Sequence, residues 1–175
     1  VSGRGIAMLK DAGIDVEIGV CAVAAKKINA GFLLHRREGR PLVTLKTAST
    51  LDARIATHGG QSQWITGEEA RRRGHLLRKT HDAIVVGIGT ALADDPELTC
   101  RLPGMEGDSP VRVVVDTHLR LPLKSKVVQS AKKVPTWVVV STETNMERQD
   151  NYAQFGVEFI RVAPGVDNHP EALSV

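Results

Sequence analysis

Aromatic side chains are nearly missing from this sequence. Phe, Trp and Tyr make up 3% of its 175 residues, too few for a platform of exposed rings that stacks the bases of a single-stranded nucleic acid. A basic stripe is missing as well. The 23 Lys and Arg residues stand against 20 Asp and Glu, a mild excess that suits a small phosphate-bearing molecule better than a polynucleotide. Cysteine is equally scarce. Cys21 and Cys100 lie far apart, with no Cys-x-x-Cys and no ligand pair beside either; this excludes a zinc site and predicts two free thiols in a reducing cytoplasm. No apolar run approaches the ~20 residues of a membrane span, and no signal peptide opens the chain. Hydrolytic signatures are lacking: there is no Gly-x-Ser-x-Gly, no His-x-x-x-His and no Cys–His neighbour pair. The core therefore falls to Val, Leu, Ile and Ala.

What is present changes character near residue 40. Residues 5–13 have helical spacing closed by Gly13, residues 14–18 alternate apolar and charged like a half-buried strand, and residues 21–37 again recur at helical intervals. Charges, Gly39 and Pro41 then mark a boundary that divides the chain into residues 1–38 and 39–175. Beyond it strands alternate with helices. Strands are predicted over 42–48, 83–86, 111–115, 136–140 and 157–160, with a helix over 145–155. Thr66-Gly67-Glu68-Glu69 reads as a capping box opening a helix that runs to about His81. The run 83–86 is wholly apolar, as in a strand covered on both faces. The result is an α/β sheet, at least partly parallel. Val1 in place of an initiating Met, and a helix only beginning at Asn168 and Pro170, predict a chain cut from a longer one.

Several residues could carry chemistry. Lys46 shares a strand face with Thr44 and Ala48; it either snorkels to water or reaches an anion at the strand's carboxyl end. Trp64, after Gly59-Gly60-Gln61-Ser62-Gln63, either plugs into the core or packs on a ligand ring. Ser62 donates to a phosphate or caps a turn. On the helix, Glu68 with Arg72 and Glu69 with Arg73 are spaced for ion pairs, and Arg71 reads as a solvated charge. Arg78 has no carboxylate four residues before it, so a solvated charge and a bidentate phosphate clamp stand level. At Gly87-Ile88-Gly89-Thr90 a strand runs into a helical turn that aims amides at one spot, a geometry favouring phosphate. Leu92 replaces the third glycine of the Rossmann fingerprint, and a lone Gly-x-Gly serves equally as a tight turn. Asp94 and Asp95 suit proton transfer, a ribose hydroxyl or a helix cap, and Arg101 is a second anion clamp. Asp116-Thr117 and Ser141-Thr142 close strands where open α/β sheets meet ligands, and are also ordinary turn residues.

Three blocks bring these residues together: Lys46-Thr47-Ala48-Ser49-Thr50-Leu51-Asp52-Ala53-Arg54-Ile55-Ala56, then Ser62-Gln63-Trp64-Ile65-Thr66, then Ala91-Leu92-Ala93-Asp94-Asp95-Pro96-Glu97-Leu98-Thr99. In order and spacing they resemble the reductase domain of the bifunctional riboflavin biosynthesis deaminase/reductase family, from Pro41 onward. Gly3-Arg4-Gly5, the run 9–16 and Asn29-Ala30-Gly31-Phe32 are similar to the closing segment of its deaminase domain. The resemblance implies a three-layer, dihydrofolate-reductase-like α/β fold with a central mixed, largely parallel sheet. It implies NADPH-dependent reduction of 5-amino-6-(5-phosphoribosylamino)uracil to the ribitylamino compound. Ala48, Trp64, Thr90, Asp94 and Thr117 would line the cofactor. Ser62, Arg78, Leu98 and Arg101 would hold the substrate, while Lys46 and Asp94 would transfer or orient protons. No metal is implied. A cytoplasmic homo-oligomer acting on a phosphorylated pyrimidine is expected, with neither nucleic acid nor membrane as partner. Two alternatives remain: a non-catalytic phosphate-ligand-binding or dimerisation module, and a reductase acting on the 2,5-diaminopyrimidine before deamination. The sequence departs from the family at Ala53, where Gly is usual. It has no counterpart of the family's later Glu-Gly-Gly-type segment, nor of the deaminase zinc ligands and His-x-Glu.

Overall fold

A computed structural model describes residues 3–165. The helix expected from Asn168 lies outside them. The chain divides into two compact units between Thr47 and Ala48.

The first unit contains α1 (Arg4–Asp11), α2 (Ala22–Ile28) and α3 (Ala30–Glu38). The single helix expected over 21–37 is broken at Asn29, whose side-chain amide donates to the Ala25 carbonyl at 2.8 Å while its own carbonyl accepts from Leu33 at 2.9 Å. One residue thus ends α2 and opens α3, local bonding that asparagine supplies readily. The strand expected over 14–18 is absent: Ile14 and Ile18 are exposed, so the alternation buries nothing. The strand expected over 42–48 is also absent. Val43 and Leu45 are exposed, and none of these residues joins a ladder. An alternating pattern makes a strand only where a neighbouring strand takes its backbone bonds.

The second unit is built from α4 (Glu68–Thr80), β1 (Ala83–Gly87), α5 (Ile88–Asp94), β2 (Val111–Val115), α6 (Lys126–Gln129), β3 (Thr136–Ser141), α7 (Met146–Ala153) and β4 (Val157–Val162). The four strands pair in the order β1-β2-β3-β4, every pairing parallel. Each crossover carries one of α5, α6 and α7. Ile88 and Ala91 of α5, Val127 and Val128 of α6, and Tyr152 of α7 share one core with Val114, Val138 and Val140. These three helices therefore cover the same sheet face. Val113, Val139 and Val162 form a cluster on the other face. Burying a valine completely contributes about 1.5–3 kcal/mol, so the valine-rich β2 and β3 supply much of the unit's cohesion.

β1 departs from its reading as a strand covered on both faces. It is the edge of the sheet, and Ala83, Val85 and Gly87 are exposed while Ile84 and Val86 turn toward the core. The capping box also fails to form. Gly67 is the N-cap of α4 and makes no side-chain cap bond. The Thr66 carbonyl instead accepts from the Arg71 guanidinium at 2.6 Å. α6 has only four residues, too short for a periodic signal. It is anchored by Asp95, whose carboxylate accepts from the Lys126 amide at 2.9 Å. α7 starts as its sequence predicts, Asn145 accepting from the Glu147 amide at 2.8 Å. Gly156, at φ +81, turns the chain from α7 into β4, and a Cβ there would come 3.1 Å from the Lys132 side chain.

Candidate functional site

The parallel register brings the carboxyl ends of the strands to one edge of the sheet. Gly87 aligns with Val115, and Val115 with Val139. At that edge Asp116 is fully buried and accepts from the Leu121 amide at 2.7 Å, pinning the loop that follows β2. The Thr117 carbonyl accepts from the Ser141 amide at 3.1 Å and from the Thr144 hydroxyl at 3.0 Å. Thr117 thereby ties the ends of β2 and β3 together. From the end of β1, α5 carries Thr90 and Asp94 on exposed positions. The acidic pair separates by role: Asp95, at φ +39, anchors α6, and Asp94 stays at the surface.

A second group is assembled between α4 and residues 97–101. Arg78 is half-buried and donates from Nη1 to the Thr99 carbonyl at 2.9 Å. Its ordinary affinity for the proton is lowered first by burial and then by the charge of Arg101, with Cys100 opposing. Arg101 is exposed and paired with Glu97, Nη1 to Oε2 at 2.9 Å. Among the described residues no carboxylate is paired with Arg78. His75, one turn before Arg78, completes the group: its Nδ1 lies 3.2 Å from the Arg101 amide nitrogen and 3.3 Å from Arg78 Nη1. Burial first, then Arg78 and Arg101, lower the pKa of His75, while the Thr99 carbonyl works the other way.

Leu98 lies within this loop at φ +57, with its side chain packed into the core beneath. Only its backbone is left to meet a ligand. Behind the loop, Arg112 holds it in place. This guanidinium is completely buried and donates to the carbonyls of Glu97, Val127 and Val134 at 3.1, 3.0 and 2.8 Å, and to the hydroxyls of Ser130 and Thr136 at 2.8 and 2.6 Å. Burial lowers its pKa to about 10, which leaves it charged at neutral pH.

Trp64 does not plug into the core. It is 71% exposed and stacked by Arg71, whose guanidinium carbon sits 4.5 Å from the ring centroid. Such a cation–π contact stabilises an exposed pair by about 0.5–1 kcal/mol. Arg71 is therefore not the solvated charge its position suggested. Glu69 pairs with Arg73 at 3.8 Å as spaced, whereas the described residues include no pair between Glu68 and Arg72. Asp52 lies 4.0 Å from Arg54. Ser62 and Ala48 are half-buried in the segment preceding α4. Lys46 is exposed in the first unit, whereas Asp94 belongs to the second. Open depressions of about 460 Å³ beside Arg54, Ala56, Thr57 and His58, and of about 350 Å³ beside Lys79, His81, Asp82 and Asp108, contain no predicted site residue.

Residues 41–172 match the model of the RibD C-terminal domain family. The chain belongs to that family. A riboflavin biosynthesis protein RibD from Bacillus amyloliquefaciens is 40% identical over 175 residues, all of this chain and 47% of that protein. The solved Acinetobacter baumannii RibD, form 1, is 38% identical with a TM-score of 0.75, over 94% of this chain and 45% of that one. The Thermotoga maritima deaminase/5-amino-6-(5-phosphoribosylamino)uracil reductase is 33% identical with a TM-score of 0.73, over 94% and 51%. The chain spans about half the length of the curated relatives it matches. The RibD C-terminal match contains Arg78, Arg101, Trp64, Thr90 and Asp94, and also two residues that sequence reasoning passed over, His75 and Arg112, and one, Arg71, that it read as a solvated charge. His75 sits three positions before Arg78, a helical spacing that was legible. Arg112 is a lone cation in a valine strand, an anomaly of the kind noticed at Lys46. Arg71 gave no such signal, because its stacking depends on how the loop just before α4 lays Trp64 against the helix.

Proposed function

We propose that this chain carries a reductase site of riboflavin biosynthesis, at which NADPH reduces 5-amino-6-(5-phosphoribosylamino)uracil to its ribitylamino product. The observation that carries the reading is the pairing of Arg78 with Arg101. Burial and then the Arg101 charge disfavour the charge on Arg78, and that half-buried guanidinium bonds one carbonyl and no carboxylate among the described residues. A phosphate ester relieves the repulsion between the two cations and accepts the remaining N–H groups. Ser62 and the Leu98 backbone border the same substrate. Binding energy gathered at the phosphate, away from the reacting carbon, holds the opened sugar in place for reduction at C1.

The residues present fit a dinucleotide. Trp64 leaves most of its ring exposed, and Thr90 and Asp94 offer a hydroxyl and a carboxylate on the surface of α5. Ala48 and Thr117 complete the set that would hold NADPH, which supplies the hydride when bound. Asp94, exposed on α5, orients hydroxyl groups or takes up a proton; Lys46 is assigned the same class of role by resemblance to the family. The protein acts as a homo-oligomer in the cytoplasm on this reading. NADPH oxidation by the purified protein, followed with the phosphorylated substrate, tests it. Substrate-dependent oxidation, faster with NADPH than with NADH, is expected. A folded protein that binds the phosphorylated pyrimidine without oxidising NADPH is instead a non-catalytic binding module.

A further inference from the structure

A backbone N–H can only donate, so the 3.2 Å contact from the Arg101 amide makes Nδ1 of His75 an acceptor. Arg78 Nη1, at 3.3 Å from the same nitrogen, is likewise a donor with no acceptor lone pair. Both contacts require an unprotonated Nδ1, which fixes the neutral ring as the Nε2–H tautomer. Burial, Arg78 from its own helix and Arg101 from the loop all disfavour imidazolium; the Thr99 carbonyl alone favours it, and the carboxylate of the group, Glu97, is bound to Arg101. One nitrogen thus joins two arginines that are distant in sequence, one through its side chain and one through its backbone.

We propose that His75 is a positioning residue for a phosphate-ester site: its unprotonated Nδ1 holds Arg78 and the Arg101 backbone side by side so that both guanidinium groups serve one anion. This rests on the assignment of Arg78 and Arg101 to the substrate phosphate. It adds a residue that contacts neither cofactor nor substrate and acts through its neighbours. Without the acceptor, Glu97 still pairs with Arg101 and the Thr99 carbonyl with Arg78, but no single group joins the two arginines, and residues 97–101 lose one of their ties to α4. The Arg112 bond to the Glu97 carbonyl remains, so the loop stays attached while the aim of Arg101 is lost.

The test compares His75→Ala and His75→Asn, with Arg78→Ala and Arg101→Ala as controls, in titrations with ribose 5-phosphate near pH 7.5. Thermal denaturation verifies that each variant is folded. Asparagine is the informative variant because its Oδ1 can take the place of Nδ1 as a neutral acceptor. Loss of two modest hydrogen bonds predicts that His75→Ala weakens binding about 10-fold, and His75→Asn recovers to within about threefold of the parent. Equal weakening in both His75 variants, or no weakening in either while Arg78→Ala binds poorly, overturns the proposal and leaves the anion site standing. Unchanged binding in both arginine controls overturns the anion-site reading itself. A long-range imidazole nitrogen spectrum of the ligand-free protein provides a second, independent readout. It should show His75 with Nδ1 unprotonated, and a proton on Nδ1 at pH 7.5 sinks the proposal whatever the titrations give.

Discussion

Two arginines of the second unit show how environment assigns different tasks to one side chain. Arg112 is fully enclosed and donates to five acceptors, three carbonyls and two hydroxyls. Arg78 is half-buried, bonds one carbonyl, approaches a histidine and faces a second cation. Arg112 is a strut joining β2, β3, α6 and the loop that carries Leu98 and Arg101. Arg78 has only Nη1 engaged among the described residues. The difference lies in saturation: both terminal nitrogens of Arg112 are bonded and only its buried Nε lacks a partner, whereas Arg78 bonds a single carbonyl beside a second cation.

The largest effect should come from breaking the strut. Arg112→Met leaves three carbonyls and two hydroxyls without their donor and should lower stability by about 3–5 kcal/mol in chemical denaturation. Arg112→Lys should rescue little, because a single ammonium cannot span five acceptors. Arg78→Ala should behave oppositely. KM for the phosphorylated substrate should rise about 10- to 100-fold through loss of charge-assisted bonds, with stability unchanged within about 0.5 kcal/mol. A large loss of stability with unchanged KM would erase the contrast between the two residues.

A smaller effect sharpens the comparison through pH. His75 has a folded-state pKa below its ordinary 6.5, so the unfolded chain binds the proton more readily. Its contribution to stability is therefore complete above about pH 6.5 and is lost as pH falls toward the lowered value. Burial first, then Arg78 and Arg101, oppose the imidazolium, and the Thr99 carbonyl favours it. Stability measured from pH 7.5 to 5 should decline less in His75→Asn than in the parent; parallel curves would remove the electrostatic link between His75 and the arginines. The smallest effect is expected at Ala53. It sits at φ +60 in a turn where the Ala53 amide donates to the Thr50 carbonyl at 3.0 Å. Ala53→Gly relieves a left-handed alanine at the cost of a freer unfolded chain, a net gain of a few tenths to about 1 kcal/mol. Thermal denaturation should show a slight rise and no change in phosphate affinity.

The strands were legible where valine runs meet valine runs. In β2, β3 and β4 the predicted and observed bounds agree within two residues, since each run is buried by parallel neighbours in register. The run over 42–48 has the same apolar character and forms no ladder, because composition says nothing about whether a partner strand is beside it. The capping box at Thr66 failed because α4 begins one residue later than the pattern implies: Gly67 is the N-cap, and Thr66 stands one position before it. Arg78 could be singled out by the carboxylate missing one turn earlier. His75 could not be understood that way, since its role depends on a backbone amide 26 residues further along the chain.

Leu98 carries a consequence for how this domain can vary. Its backbone sits at φ +57, where glycine is most at ease, while its side chain, 5% exposed, helps fill the core that α5, α6 and α7 share. Glycine would relax the backbone and empty the core. A β-branched residue would fill the space and worsen the strain. The position is caught between two demands that few residue types reconcile, so drift in this loop has to pass around Leu98, and Arg101 three residues later keeps its place while the surface about it changes.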